Sequence, residues 1–199
     1  MILTPDQEDA IKEFINIGAG HAAGALSDLT ETHVKLSIPA IKVLKLADLN
    51  KEDESITKEV SSSVRINFKG FSDGTAALVF PPASALKLVS LVSDEEFGTP
   101  DMDSVQAGIL TEIGNIILNH ILGAIGNIFQ QHLEYNVANY VEGEIVNLIE
   151  PEDSVPDLVI MIIDTQFNLK ELEITGDIVI FFKLGSLDKF IEAVENCLN

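Results

Sequence analysis

Glu13-Phe-Ile-Asn16-Ile-Gly-Ala-Gly20-His21-Ala-Ala-Gly24-Ala25-Leu-Ser27 and Glu112-Ile-Gly-Asn115-Ile-Ile-Leu-Asn119-His120-Ile-Leu-Gly123-Ala124-Ile-Gly126 are two versions of one helix, 99 residues apart. Glutamate, asparagine, histidine, glycine and alanine coincide, and His33 returns as His132. A lone Glu-x-x-Asn is expected roughly once per few hundred positions. At least six identities at a single offset, within about twenty residues, argue instead for an internal repeat. The match continues beyond the helix. Gly74–Phe80 resembles Gly176–Phe182, and Ser84–Val89 resembles Ser186–Ile191, now at an offset of 102. The chain therefore reads as two repeats, about 5–100 and 104–199, joined at Thr99-Pro100-Asp101, which is too short for a flexible linker. Half of this chain would bury only a marginal core. The expectation is one pseudo-symmetric domain over residues 1–199.

Pro5 and the acids Asp6, Glu8 and Asp9 suit a helix N-terminus. At ~100° per residue the helix runs to about Leu29, with Ile11, Phe14, Ile15, Gly18, Ala22, Ala25, Leu26 and Leu29 on one face. Asp9, Glu13, Asn16 and Gly20 form a narrow stripe nearly opposite. In the second copy Leu110, Ile113, Ile117 and Ile121 make the core face, and Glu112, Asn115 and Asn119 the polar stripe. Each Glu and Asn, one turn apart, have adjacent side chains. Bare Gly20 would let another molecule come close to Asn16.

Extended segments follow each helix: His33–Pro39 and Ile41–Leu46 in the first half, Tyr135–Leu148 in the second. Lys51–Glu59 reads as a charged loop. Val60–Phe68 with Thr75–Phe80, and Leu158–Phe167 with Glu171–Phe182, read as hairpins, and Ala83–Ser93 and Ser186–Cys197 as closing helices. The fold class is α+β, with helices packed on one face of an antiparallel sheet.

The charge of −20, with only 12 Lys and Arg, makes nucleic acid and anionic membranes poor partners and favours one that presents basic side chains. The apolar stretch Ile116–Phe129 is broken by Asn119, His120, Gly126 and Asn127, so no uninterrupted run reaches the ~18 residues of a membrane span. An acidic N-terminus without a basic region argues against a signal peptide, and the single Cys197 fits a reducing cytoplasm. Gly-x-Ser-x-Gly, Walker A, His-Glu-x-x-His and Cys-x-x-Cys are missing from the sequence. The histidines of each pair stand 12 residues apart, which suits structural roles better than a metal site. The exposed Glu-x-x-Asn is what remains. Asparagine inside a helix is a poor helix former, yet it recurs at the same place in both copies.

Asp9-x-x-x-Glu13-x-x-Asn16, followed after 22 residues by Pro39, resembles the signature of the CheC/CheX/FliY family of chemotaxis phosphatases, and the surrounding helix is similar to the first helix of CheC. The likeness spans the chain, since CheC is itself a two-copy protein of about this size. It implies hydrolysis of the aspartyl phosphate on a CheY-type response regulator. Glu13 and Glu112 would pair with the regulator's active-site lysine, and Asn16 and Asn115 would place the attacking water. Asp9 would orient Glu13 or cap the helix, and Pro39 would shape the strand entry. The protein would need no cofactor or metal of its own, Mg²⁺ being held by the regulator. The second copy has Gly108 and Ala138 at the flanking positions, so the first site is expected to be competent and the second reduced or partner-selective. The alternative is a non-catalytic docking protein binding the receptor deamidase CheD, a response regulator or the flagellar switch. A cytoplasmic monomer is expected, because the repeat already completes a pseudo-dimer.

Overall fold

The structure, a computed structural model, describes residues 3–48, 60–93, 103–148, 158–169, 172–183 and 185–198. Its two long helices are built alike at both ends. Helix α1 (Pro5–Thr30) is opened by Thr4, whose Oγ1 accepts from the Gln7 N–H at 3.3 Å while Gln7 Oε1 accepts from the Thr4 N–H at 2.8 Å. Helix α3 (Ser104–Ile128) is opened by Asp103, which accepts from the Val105 and Gln106 N–H groups while Gln106 Oε1 accepts from the Asp103 N–H at 2.8 Å. Each reciprocal cap satisfies N–H groups that a helix start leaves orphaned, worth about 1 kcal/mol. Just past the far ends stand Glu31 (φ 50°) and Gln130 (φ 52°), the non-glycine residues with positive φ among the described ones. Both caps and both left-handed residues lie 99 positions apart, as the helix motifs do.

The remaining elements are β1 (Val34–Ser37), β2 (Ile41–Lys45), β3 (Ser61–Gly70), β4 (Gly74–Phe80), α2 (Pro82–Ser93), β5 (Leu133–Tyr135), β6 (Asn139–Gly143), β7 (Val159–Leu169), β8 (Leu172–Phe182) and α4 (Ser186–Leu198). Both hairpins and both closing helices lie where the sequence puts them. Tyr135–Leu148 does not run as one extended segment: β5 and β6 give way to a 3₁₀ turn at Ile145–Leu148. The expected loop Lys51–Glu59 and the junction at 99–101 lie outside the described residues.

All eight strands pair antiparallel in one sheet, and the pairing interleaves the two halves. Strands β1 and β2 of the first half lie along β7 of the second, and β5 and β6 of the second lie along β3 of the first. Shifting each partner by 99 residues turns Val34↔Leu169 into Leu133↔Gly70, and Ile41↔Ile163 into Tyr140↔Val64. Strand β4 meets β8 at the centre, where Leu78 faces Ile178.

Residues of the four described helices share one core with one sheet face: Ile11, Ile15, Leu88, Leu110, Ile113, Ile117 and Phe190 meet Val64, Leu78, Phe80, Ile163, Phe167 and Ile180. A second cluster of Leu44, Ala77, Val79, Ile145, Leu148, Ile160, Ile162, Val179 and Phe181 buries the other face. Burial on both sides explains why β4 is apolar almost throughout instead of alternating. The helices α1 and α3 touch backbone to backbone at Gly18, where a Cβ would stand 2.6 Å from Ile121 Cα. Helix α3 matches a membrane span in length and composition, but half of its most apolar stretch is buried in this core.

Candidate functional site

Helix α1 turns Ile11, Ile15, Gly18, Ala22 and Leu26 into the core and leaves Asp9, Glu13 and Gly20 exposed, with Asn16 half-buried between the two faces. Helix α3 buries Leu110, Ile113, Ile117 and Ile121, exposes Glu112 and leaves Asn115 and Asn119 half-buried. Both Glu-Asn pairs thus lie on the outward side of a helix whose inward side is anchored. Leu29, placed inward by periodicity, is 54% exposed in the last turn. The side chains of Asp9, Glu13, Asn16 and Glu112 make no hydrogen bond or ion pair with another described residue. An unengaged carboxylate and amide one turn apart suit an incoming cation and a hydrogen-bonded water.

The copies differ beside the asparagine. Position 20 is bare, and a Cβ there would meet nothing within 4 Å. Its counterpart Asn119 reaches back one turn, its Nδ2 donating to Asn115 Oδ1 at 3.0 Å. The openness beside Asn16 is therefore a property of the first copy alone. Before the asparagine the difference reverses. Ile15 is fully buried, whereas at Gly114 a Cβ would stand 2.6 Å from Val64 Cβ, so the sheet residue fills the space that a side chain occupies in copy one.

One flanking role needs revision, that of Asp9 as a helix cap. Helix α1 is capped by Thr4, and no hydrogen bond joins Asp9 to Glu13, so Asp9 contributes an exposed charge in the second turn. Pro39 stands exposed at the break between β1 and β2, and the recess beside it is lined by Pro81, Asp164, Gln166, Thr175 and Asp177, none of them on α1. The break is inside out in the second copy: Ile38 is buried and Pro39 exposed, whereas Val137 is 91% exposed and Ala138 buried. Of the histidines, His21, His33 and His132 are exposed, and the His120 ring Nδ1 lies 2.7 Å from Ile116 O within its own helix. Among the described residues no three His, Cys, Asp or Glu side chains converge as metal ligands.

A recess of about 420 Å³ lies between the end of α3 and α4, lined by Phe71, Phe129, Gln131, Lys189, Glu192 and Cys197. Neither Glu-Asn pair lines it. Polar groups on the outward side of a helix, away from both recesses, suit a macromolecular partner better than a small substrate.

The sequence profile of the CheC-like family matches residues 7–43, which hold Asp9, Glu13, Asn16 and Pro39. The CheY-P phosphatase CheC of Bacillus subtilis (strain 168) is 26% identical over 131 residues, 64% of this chain and 62% of that protein. In sequence and fold the chain is similar to the CheC/CheX/FliY family. The CheC-like chain thus aligns with somewhat less than two thirds of the curated relative's length. Thermotoga maritima FliY has the same fold, with a TM-score of 0.80 and 15% identity over 99% of this chain and 100% of that one. CheX from Borrelia burgdorferi, seen in a CheX–CheY–BeF₃–Mg²⁺ complex, superposes at a TM-score of 0.52 with 16% identity, covering 86% of this chain and 99% of that one. The reciprocal caps are also written in the sequence: Thr4-Pro-Asp-Gln7 and Asp103-Ser-Val-Gln106 carry the capping-box pattern at the same 99-residue offset.

Proposed function

We propose that this CheC-like chain hydrolyses the aspartyl phosphate of a CheY-type response regulator, using the Glu13–Asn16 and Glu112–Asn115 pairs. The observation that carries this reading is the doubled pair itself: an exposed glutamate and a half-buried asparagine, one turn apart on each of two helices opened by a capping box. Glu13 or Glu112 engages a lysine at the regulator's active site. Asn16 or Asn115 then holds a water in line with the phosphorus. The water oxygen forms the new bond to phosphorus, and the bond to the aspartate oxygen breaks. Inorganic phosphate leaves and the regulator keeps a free carboxylate.

So small a toolkit suffices because the acyl phosphate is already activated and the regulator holds Mg²⁺ and the phosphoryl group. What remains is water orientation and electrostatics, as for the water-positioning glutamine of GTPases. A 10²-fold gain needs only about 2.7 kcal/mol off the barrier. The net charge of −20 favours docking on a partner face that presents basic side chains. We place the protein in the cytoplasm as a monomer, one duplicated unit carrying two sites.

The test is phosphate loss from a purified, labelled CheY-type regulator with Mg²⁺, with and without the protein. Acceleration that disappears in Asn16→Ala/Asn115→Ala supports the reading. Equal turnover by wild type and double variant would sink it. The second reading, a docking protein without catalysis, draws on the fold shared over the full chain with FliY. It predicts binding by titration with no change in phosphate lifetime.

A further inference from the structure

Asn119 is the one residue of the α3 stripe that the proposed hydrolysis does not use, and it breaks the repeat, since its counterpart is Gly20. Its side chain is inward enough that Oδ1 is buried without a partner, while Nδ2 donates to Asn115 Oδ1 at 3.0 Å. Helical side chains lean toward the N-terminus, so Asn119 reaches back to Asn115 while the Asn115 amide stays at the rim of the exposed face. A carbonyl oxygen has two lone pairs. The contact uses one of them, leaving the second lone pair and the whole Asn115 NH₂ for a water and a phosphoryl oxygen. At Asn16 no hydrogen bond from a described residue restrains the amide, and a Cβ at position 20 would meet nothing within 4 Å.

We propose that Asn119 is a positioning residue that fixes the orientation of the Asn115 amide, so that the second site is ordered before the regulator arrives and the first becomes ordered only on binding. This rests on the phosphatase reading above and deepens it. The flanking residues Asp9 and Pro39 occur in copy one only, where copy two has Gly108 and Ala138, but amide order favours site two. The two sites divide the work: the first is open and adaptable, the second is set. The bond is a fixed donor to a catalytic acceptor, so losing it slows the chemical step and leaves docking through Glu112 intact.

The experiment measures steady-state phosphate release from a phosphorylated CheY-type regulator with Mg²⁺. Two backgrounds isolate the sites, Asn16→Ala for the second and Asn115→Ala for the first. Adding Asn119→Leu to Asn16→Ala is expected to lower kcat about 3- to 10-fold with KM for the regulator unchanged, the scale of one hydrogen bond. Adding Gly20→Asn to Asn115→Ala, where there is room for the side chain, is expected to raise kcat by a similar factor. Unchanged kcat in both would overturn the proposal, as would a change confined to KM. Relaxation of the side-chain amide nitrogens provides a readout free of turnover: Asn115 should be more ordered than Asn16, and Asn119→Leu should remove the difference. If Asn16→Ala/Asn115→Ala turns over like wild type, the phosphatase reading falls, and these order parameters still decide the positioning. Equal mobility at Asn16 and Asn115 would overturn that too.

Discussion

Gly18 and Gly20 stand two residues apart in one helix, and replacing each by alanine should change stability in different directions. Both variants remove the entropic cost of a glycine in a helix interior, a gain of about 0.8–1 kcal/mol. At position 20 nothing lies within 4 Å of the new methyl, so Gly20→Ala keeps the whole gain. At position 18 the methyl would stand 2.6 Å from Ile121 Cα, 3.0 Å from His120 O and 3.2 Å from Ala124 Cβ. Backbone atoms cannot rotate aside as a side chain does, so α1 must move from α3 by roughly 1 Å to restore ordinary contact. Overpacking of this kind costs about 1–3 kcal/mol. The propensity term cancels between the variants, and the difference between them is the packing cost alone. At about 2–4 °C per kcal/mol for a chain of this size, Gly20→Ala should melt roughly 2–12 °C above Gly18→Ala. Thermal and urea unfolding of the two variants beside wild type would measure it. Equal midpoints, or a more stable Gly18→Ala, would refute the close helix crossing.

Glu31→Gly and Gln130→Gly should each stabilise by up to about 1 kcal/mol, because each replaces a side-chain-bearing residue in the left-handed region; urea midpoints will show it. Gly114→Ala should destabilise by about 1–3 kcal/mol, since its methyl meets Val64 at 2.6 Å, and Gly114→Ala/Val64→Ala should recover part of the loss in the same unfolding assay. Glu13→Ala/Glu112→Ala should weaken regulator binding more than turnover at saturation, with added salt mimicking part of the effect in a titration. Tyr140 has its pKa raised, first by burial and then by the nearby Glu142, against the hydrogen bond to Ser62. Its contribution to stability is therefore fully present below the ordinary tyrosine value of about 10 and is lost as pH rises toward the raised folded value. Tyr140→Phe should lack that component, so wild type should lose more stability than the variant between pH 9 and pH 11.

Much of this was legible in the sequence because it is local. Helical period places Ile11 and Ile15 inward and Glu13 outward with no knowledge of what covers them, and hairpin lengths follow from apolar runs between glycines. The sheet order was not legible. A period of two gives the face of a strand and says nothing of its neighbour, so nothing in Val34–Ser37 points to Leu169 as a partner. The reversal at Ile38 and Val137 was hidden for a related reason: the strand break lets either residue turn inward, and its neighbours decide. At the site, residue type and repeat offset marked Glu13, Asn16, Glu112 and Asn115. The link between Asn119 and Asn115 needed coordinates, because a second polar residue one turn on reads as an ordinary wet face.

The exchange of short strands between halves has a consequence during synthesis. Strand β1 pairs with β7, so residues 34–37 must wait for residues 166–169, more than 120 positions later. At about 5–20 residues per second that is roughly 6–25 s during which the first helix and its strands have left the ribosome without their sheet partner. The first half therefore emerges as an unfinished edge with apolar residues such as Val34, Leu36 and Ile41 uncovered, and becomes native only when the second half arrives to close it. A nascent chain of this topology has a built-in interval of dependence on whatever shields it.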